Sequence, residues 1–169
     1  MSNKISIYAL FSVANNYDQP NNNLVCWWSE KPSLETLAKT IGQEFGPVDI
    51  ALLENGAYDK AWLYFHMLPE QTVQAAIDLQ ARSLVPVHNG TFRLARHRWY
   101  EPLERSVQLA HARGVSISTP RFGAAISITQ PQAGSLWWRE AMALSGQTLP
   151  PELPLHPALP KHMAQTALP

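Results

Sequence analysis

The chain has one cysteine, Cys26, so it cannot close an internal disulfide, and without a CxxC neighbour it cannot build a cysteine-based zinc site. That scarcity suits a reducing compartment, and the expected location is cytoplasmic. An excess of either charge is lacking too: 13 Lys and Arg balance 13 Asp and Glu. No broad basic field is present to attract nucleic acid, and no polybasic segment to hold a membrane surface. No stretch approaches the roughly 18 uninterrupted apolar residues of a membrane span. The opening MSNKISIYALFSVANN carries an apolar run too short for a signal peptide. P-loop, G-x-G-x-x-G and G-x-S-x-G patterns are all missing, which removes the common nucleotide-binding and serine-hydrolase signatures.

What is present is a core-forming sequence, 46% hydrophobic over 169 residues, enough for one domain. ISIYALFSV is strand-like, whereas ANNYDQPNNN reads as a polar loop, and residues 1–27 form an atypical N-terminal segment. PSLETLAKTIGQEFG predicts a helix with Ser33 as N-cap, an apolar face of Leu34, Leu37, Ala38 and Ile41, and a stop near Gly46. PVDIALLE is a short buried-strand run. LPEQTVQAAIDLQARS predicts a second helix with Pro69 in its first turn, Glu70 beside the positive end of its dipole, and Val73, Ala76, Ile77 and Ala81 facing inward. LVPVH predicts a strand, EPLERSVQLAHARG a helix ending on Gly114, and VSIST and AAISI the last strands. This alternation implies an α/β fold with one sheet under covering helices. The Pro-rich stretch over 142–169 is expected to be disordered, with its PxxP-like spacing read as solvated chain.

In α/β sheets, ligands collect at the carboxyl ends of strands. Two such ends stand out, Glu54-Asn55-Gly56-Ala57-Tyr58 and His88-Asn89-Gly90-Thr91-Phe92, and between them His66 precedes a helix. The plain reading makes these turn residues, with Gly56 and Gly90 present for positive φ and His88 hydrogen-bonded at a core edge. Three polar loops at one edge favour a site. His97 and His111 are placed on the surface, and RLARHRWYE on this neutral chain reads as a solvated loop rather than an RNA-binding patch.

Four motifs occur in order: Gly56-Ala57-Tyr58, Trp62, His66 to Val73 (His-x-x-Pro-Glu-x-x-Val) and His88 to Phe92 (His-Asn-Gly-Thr-Phe). With them, residues 28–141 resemble the C-terminal half of the metallo-β-lactamase-fold hydrolases. The branch is that of N-acylphosphatidylethanolamine-hydrolysing phospholipase D and its bacterial relatives. The resemblance implies a centre of two metal ions, usually zinc, with His88 as its last ligand. It implies that His66 contacts the substrate's phosphate or assists in catalysis, that Tyr58, Trp62 and Asn89 bind substrate, and that the substrate is a phosphodiester or a lipid-like ester. The implied fold is half of an αβ/βα sandwich, one mixed sheet with covering helices.

Two features depart from that family. No His-x-His-x-Asp-His motif exists, and where a Ser-Gly-Asp segment would bring the bridging aspartate, Ser29, Glu30 and Lys31 stand instead. A charged ammonium cannot ligate a metal. Of roughly seven family ligands only His88 remains, so zinc is expected to be absent or weakly held. The expectation is therefore a truncated metal-dependent hydrolase, inactive alone. The alternative is a non-catalytic remnant or interaction module that keeps the half-sandwich as a scaffold. The face that would meet the missing half should be apolar and exposed, which predicts a homodimer or a complementing chain.

Overall fold

The computed structural model describes residues 8–14, 21–28, 33–62, 65–127 and 135–149, with the side chains of the first two stretches and of Leu34 left aside. Lys31 and residues 150–169 of the Pro-rich stretch lie outside the described residues.

Strand β1 (Tyr8–Ala14) pairs antiparallel with β2 (Asn21–Trp28), so the asparagine-rich stretch read as loop starts a strand. The strand was hidden because Asn21, Asn22 and Asn23 are poor strand formers whose preference the pairing with β1 overrides. Helix α1 (Leu34–Phe45) begins where Ser33 accepts the Thr36 N–H, and it ends at Gly46, whose φ of 70° suits glycine. The chain then enters β3 (Ile50–Glu54), makes a single 3₁₀ turn over Lys60–Trp62, and forms α2 (Pro69–Asp78) and β4 (Ser83–Val87). Strands β3 and β4 are parallel, with Ile50 opposite Ser83 and Glu54 opposite Val87, so both finish at one edge. Helix α3 (Glu101–Ala112) and helix α4 (Trp137–Leu144) complete the described elements.

The α/β class is as expected, but the sheet is smaller than one continuous mixed layer. The described residues form two two-stranded sheets, and VSIST contributes only a parallel bridge from Ile117 to Leu84. Residues 124–127, the start of AAISI, form no strand, while SLWWRE opens a helix. Its two indoles suited either state, and packing decided: Trp138 and Met142 are buried with Tyr100 and Leu103. Leu149 packs against the same cluster, so ordered structure runs past the boundary at 142.

The main core lies under β4, where Val73 and Ala76 of α2 meet Leu84, Leu109 and Ala110. Burying Val73 and Leu84 fully is worth about 1.5–3 kcal/mol each. Helix α1 adds Ala38, which packs with Met67 and Ala75. On β3, Leu52 remains 64% exposed although it sits mid-strand.

Candidate functional site

The level ends of β3 and β4 bring their following turns together. Asn55 is fully buried and ties three elements: its Nδ2 donates to the Pro102 carbonyl (3.1 Å) and Ser106 Oγ (3.0 Å), and its Oδ1 accepts from Asn89 Nδ2 (2.7 Å). The Asn55 N–H donates to the Val87 carbonyl, carrying the ladder one residue past the strands. Gly56 is needed for closeness rather than for positive φ, because a Cβ there would meet the His88 carbonyl oxygen at 2.0 Å. The left-handed conformations fall instead on Ala57 (φ 59°), His88 (φ 62°) and Gly90 (φ 74°). Two of these are not glycine, and such backbone strain concentrates at functional positions.

On this edge stand Glu54, His66 and His88, each with a ligand atom within 4.8 Å of the others. Glu54 Oε2 lies 2.8 Å from His66 Nδ1, and Oε1 accepts the Met67 N–H at 2.9 Å. Thr72 Oγ1 donates to the Glu54 carbonyl, fastening the strand end to α2, whose entry is set by Pro69 and by Gln71 capping the Leu68 N–H. The His66 and His88 rings are nearly parallel, 18° apart in plane, with centroids 5.2 Å apart. All three side chains keep solvent contact, so an ion can reach them. Two imidazoles and a carboxylate are ligands suited to a divalent cation.

Counting family ligands in the sequence found only His88, because His66 was given another task and Glu54 belonged to no motif. The available signal was a carboxylate ending an apolar strand run, level with the strand end that carries His88.

His88 and Asn89 also line a cavity of about 270 Å³ with Gly90, Phe92, Trp99 and His97. Phe122 and Trp137 pack 3.4 Å from where a Gly90 Cβ would stand, so this wall is apolar and aromatic. His97, expected on the surface, is half-buried against the Tyr58 ring (centroids 4.4 Å) with Nδ1 2.9 Å from the Arg98 carbonyl. Nothing in its basic, loop-like neighbourhood announced this. His111 is exposed, as expected.

Tyr58 and Trp62 are placed differently from Asn89. Tyr58 is 1% exposed, donates its hydroxyl to Glu101 Oε1 (3.1 Å), and does not line the cavity. Burial, then Glu101, pushes its phenol far above the ordinary tyrosine range. Trp62 is half-buried, donates Nε1–H to the Ala57 carbonyl (2.7 Å) and so braces the turn. In this structure both residues shape the edge from within.

RLARHRWYE is not a free basic loop either. Arg96 grips Asp59 through two guanidinium bonds of 3.0 Å. Hydrogen bonds from the Arg96 side chain and then the Ala61 N–H hold the Asp59 carboxyl down at about 2. The grip pins the loop that forms the cavity's outer wall.

Residues 32–89 match the model of the β-lactamase superfamily domain. An uncharacterized protein of Mycobacterium tuberculosis H37Rv is 44% identical over 102 residues, covering 59% of this chain and 27% of that protein. The outer membrane protein RomA of Klebsiella pneumoniae is 60% identical over 52 residues, 31% of this chain and 39% of its own length. N-acyl-phosphatidylethanolamine-hydrolyzing phospholipase D 1 of Caenorhabditis elegans is 32% identical over 78 residues, 44% of this chain and 22% of that enzyme. The chain thus spans well under half the length of each of these relatives. No helix among the described residues is long and apolar enough to cross a membrane. The domain match contains Glu54, His66 and His88, so the site lies in the segment that is similar to the β-lactamase superfamily domain, and the phospholipase D relative extends that similarity to the N-acylphosphatidylethanolamine phospholipase D-like branch.

Proposed function

We propose that the edge formed by β3 and β4 is part of a metal-dependent hydrolase centre for a phosphodiester or related lipid-like ester, working in the cytoplasm. The observation that carries this reading is the convergence of Glu54, His66 and His88 within 4.8 Å at the mouth of an apolar cavity. His88 would hold the metal, zinc by the family's habit, and His66 stands beside it as the second imidazole of the catalytic centre. A divalent ion held there would lower the pKa of water and offset charge developing on the ester oxygens. The chain's own contribution is placement. Asn55 fixes the His88 loop through Asn89, Glu54 fixes His66, and the Phe92 and Trp99 side of the cavity takes an apolar substituent and excludes water there.

The described residues offer fewer ligands than a two-ion centre uses, so the chain as a monomer is expected to hydrolyse at background. We assign completion of the centre to a second chain, a copy of this one or a complementing one, covering the apolar surface that includes Leu52. Hydrolysis of bis(p-nitrophenyl) phosphate with added zinc tests this across a protein dilution series. The expected result is metal-dependent turnover that rises with protein concentration and disappears in His88→Ala. Absent turnover at every concentration would exclude a second copy as the completing chain, and metal-independent turnover that persists in His88→Ala would remove the metal-dependent reading.

A further inference from the structure

The arginines of the loop RLARHRWYE divide into two kinds. Five of the chain's eight arginines sit in carboxylate pairs, Arg82 with Asp49, Arg96 with Asp59, Arg105 with Glu70, Arg121 with Glu140 and Arg139 with Glu104, and Arg113 donates to Gln74. Arg93 and Arg98 have no carboxylate within ion-pair distance among the described residues. Both line one cavity of about 360 Å³ between this loop and the end of α4.

An exposed arginine alone needs no partner, so the weight falls on how the cavity is built. Arg98 Nη1 donates to the Tyr100 hydroxyl at 2.8 Å, which steadies the guanidinium and leaves its other N–H groups and the Tyr100 O–H to donate elsewhere. Glu101, the nearest acid along the chain, is engaged by the Tyr58 hydroxyl and the Arg98 backbone N–H and does not line the cavity. After α4 the chain turns back, with the Gln147 N–H on the Met142 carbonyl at 2.9 Å, and brings Gln147 and Thr148 to the lining. Trp99 stands edge-on to Tyr100 (centroids 5.8 Å) and tilted against Trp137 (6.3 Å), so part of the lining is a fixed aromatic surface. Two positive charges that no acid offsets favour an anion, and the amide and hydroxyl donors beside them suit one with several oxygens. The chain's balanced charge and the small cavity point to one small anion rather than a nucleic-acid strand.

We propose that this cavity binds the phosphate group of a small organic phosphate. Arg93 and Arg98 supply planar forks of donors to the phosphate oxygens, Gln147 and Thr148 complete its shell, and the organic portion lies on Trp99 and Met142. The site is separate from the Glu54, His66 and His88 edge and needs no metal, although Trp99 walls both cavities.

Calorimetric titration of the whole chain with inorganic phosphate and with phenyl phosphate, in EDTA at low salt, tests this. One equivalent of phenyl phosphate is expected to bind, more tightly than inorganic phosphate because of the Trp99 wall. Arg93→Ala and Arg98→Ala should each weaken it by about 10-fold or more, the scale of a lost charge-assisted hydrogen bond. Arg98→Lys should recover only part of that loss, since an ammonium lacks the planar fork. Both arginines are exposed, so these variants should keep the wild-type melting temperature. Arg82→Ala removes the same charge elsewhere and should leave the affinity as it was. An equal loss in Arg82→Ala would reduce the effect to general electrostatics and overturn the site, as would the absence of binding by folded wild type. Affinity lost in His88→Ala but kept in Arg93→Ala and Arg98→Ala would move the phosphate to the strand edge. Oligouridylate binding more tightly than phenyl phosphate, and lost in the same two arginine variants, would make the loop a nucleic-acid contact and overturn the small-molecule assignment.

Discussion

Two carboxylates in this molecule sit against aromatic and basic partners, and the contrast between them separates structure from site. Glu104 of α3 is 1% exposed and saturated: Oε2 accepts from Trp138 Nε1 (2.8 Å) and Arg139 Nε (3.0 Å), and Oε1 from Arg139 Nη2 (2.7 Å) and Gln108 Nε2 (3.0 Å). Burial pushes its carboxyl upward, but the bonds from Arg139 and Trp138 outweigh it and hold it below the usual range. Every partner there comes from α3 or α4, and the cluster holds α4 to α3. Glu54 occupies a more open edge, is joined to an imidazole that keeps solvent contact, and shares its surroundings with a second, strained histidine. Full satisfaction in a buried place makes a clasp. Incomplete coordination in an open place leaves capacity for a ligand.

The sharpest way to break the open side is Gly56→Ala, whose Cβ would meet a backbone oxygen at 2.0 Å that no rotamer can move. Urea denaturation should show a loss of about 3 kcal/mol or more. A near-neutral result would mean that the two turns are not tightly apposed. On the closed side, Glu104→Ala strips partners from Trp138 and Arg139 and should cost about 2–4 kcal/mol, moderated because Arg139 is partly solvated. Its zinc binding should match wild type at temperatures where it stays folded. Altered affinity there would show that the clasp and the site are coupled.

Acid sharpens the contrast. Glu104 and Asp59 both have depressed carboxyl values in the folded chain. Their contributions are therefore present above the ordinary values of 4.5 and 3.8 and are lost as pH falls through the folded ones, for Asp59 toward about 2. Stability followed by circular dichroism should fall steadily below pH 4.5, and Asp59→Asn should flatten the lower part of that curve while loosening the cavity's Arg96 wall.

His88→Ala removes an exposed ring whose contact is with the His66 ring and should change stability by only about 1 kcal/mol or less, while abolishing metal uptake. The smallest effect belongs to His111→Ala on the exposed face of α3, which should alter neither melting temperature nor zinc binding. Equal metal loss in the two histidine variants would mean that the edge histidine has no special place.

Much of the fold was legible because local rules and tertiary needs agree along residues 33–114. Ser33 and Gly46 bound α1, Pro69 starts α2, Gly114 follows α3, and the apolar runs at 50–54 and 83–87 have no other stable use than buried strands. Legibility failed where a segment's partner decides its state. VSIST has strand residues yet gains only one bridge among the described residues, and WWREAM, for which the sequence reading named no element, is helix because Trp138 finds Glu104 and the Tyr100 cluster.

The candidate site divides along the same line. Sequence by itself determined that His66 and His88 lie in turns at strand and helix boundaries, since Pro69 fixes one and Asn89-Gly90 the other. It also carries the motif spacing on which the resemblance to the metallo-β-lactamase-fold hydrolases rests. Only the tertiary structure decided that Glu54 joins them, that Gly56 serves close approach rather than positive φ, and that Tyr58 turns inward while His97 lines the cavity. Those outcomes depend on the parallel register that sets Glu54 opposite Val87 and on distances across 12 to 34 residues of chain, as in the Glu54–His66 and Asn55–Asn89 bonds. Spacing along a sequence encodes which face a residue takes within its own element, and contact between elements is fixed by packing.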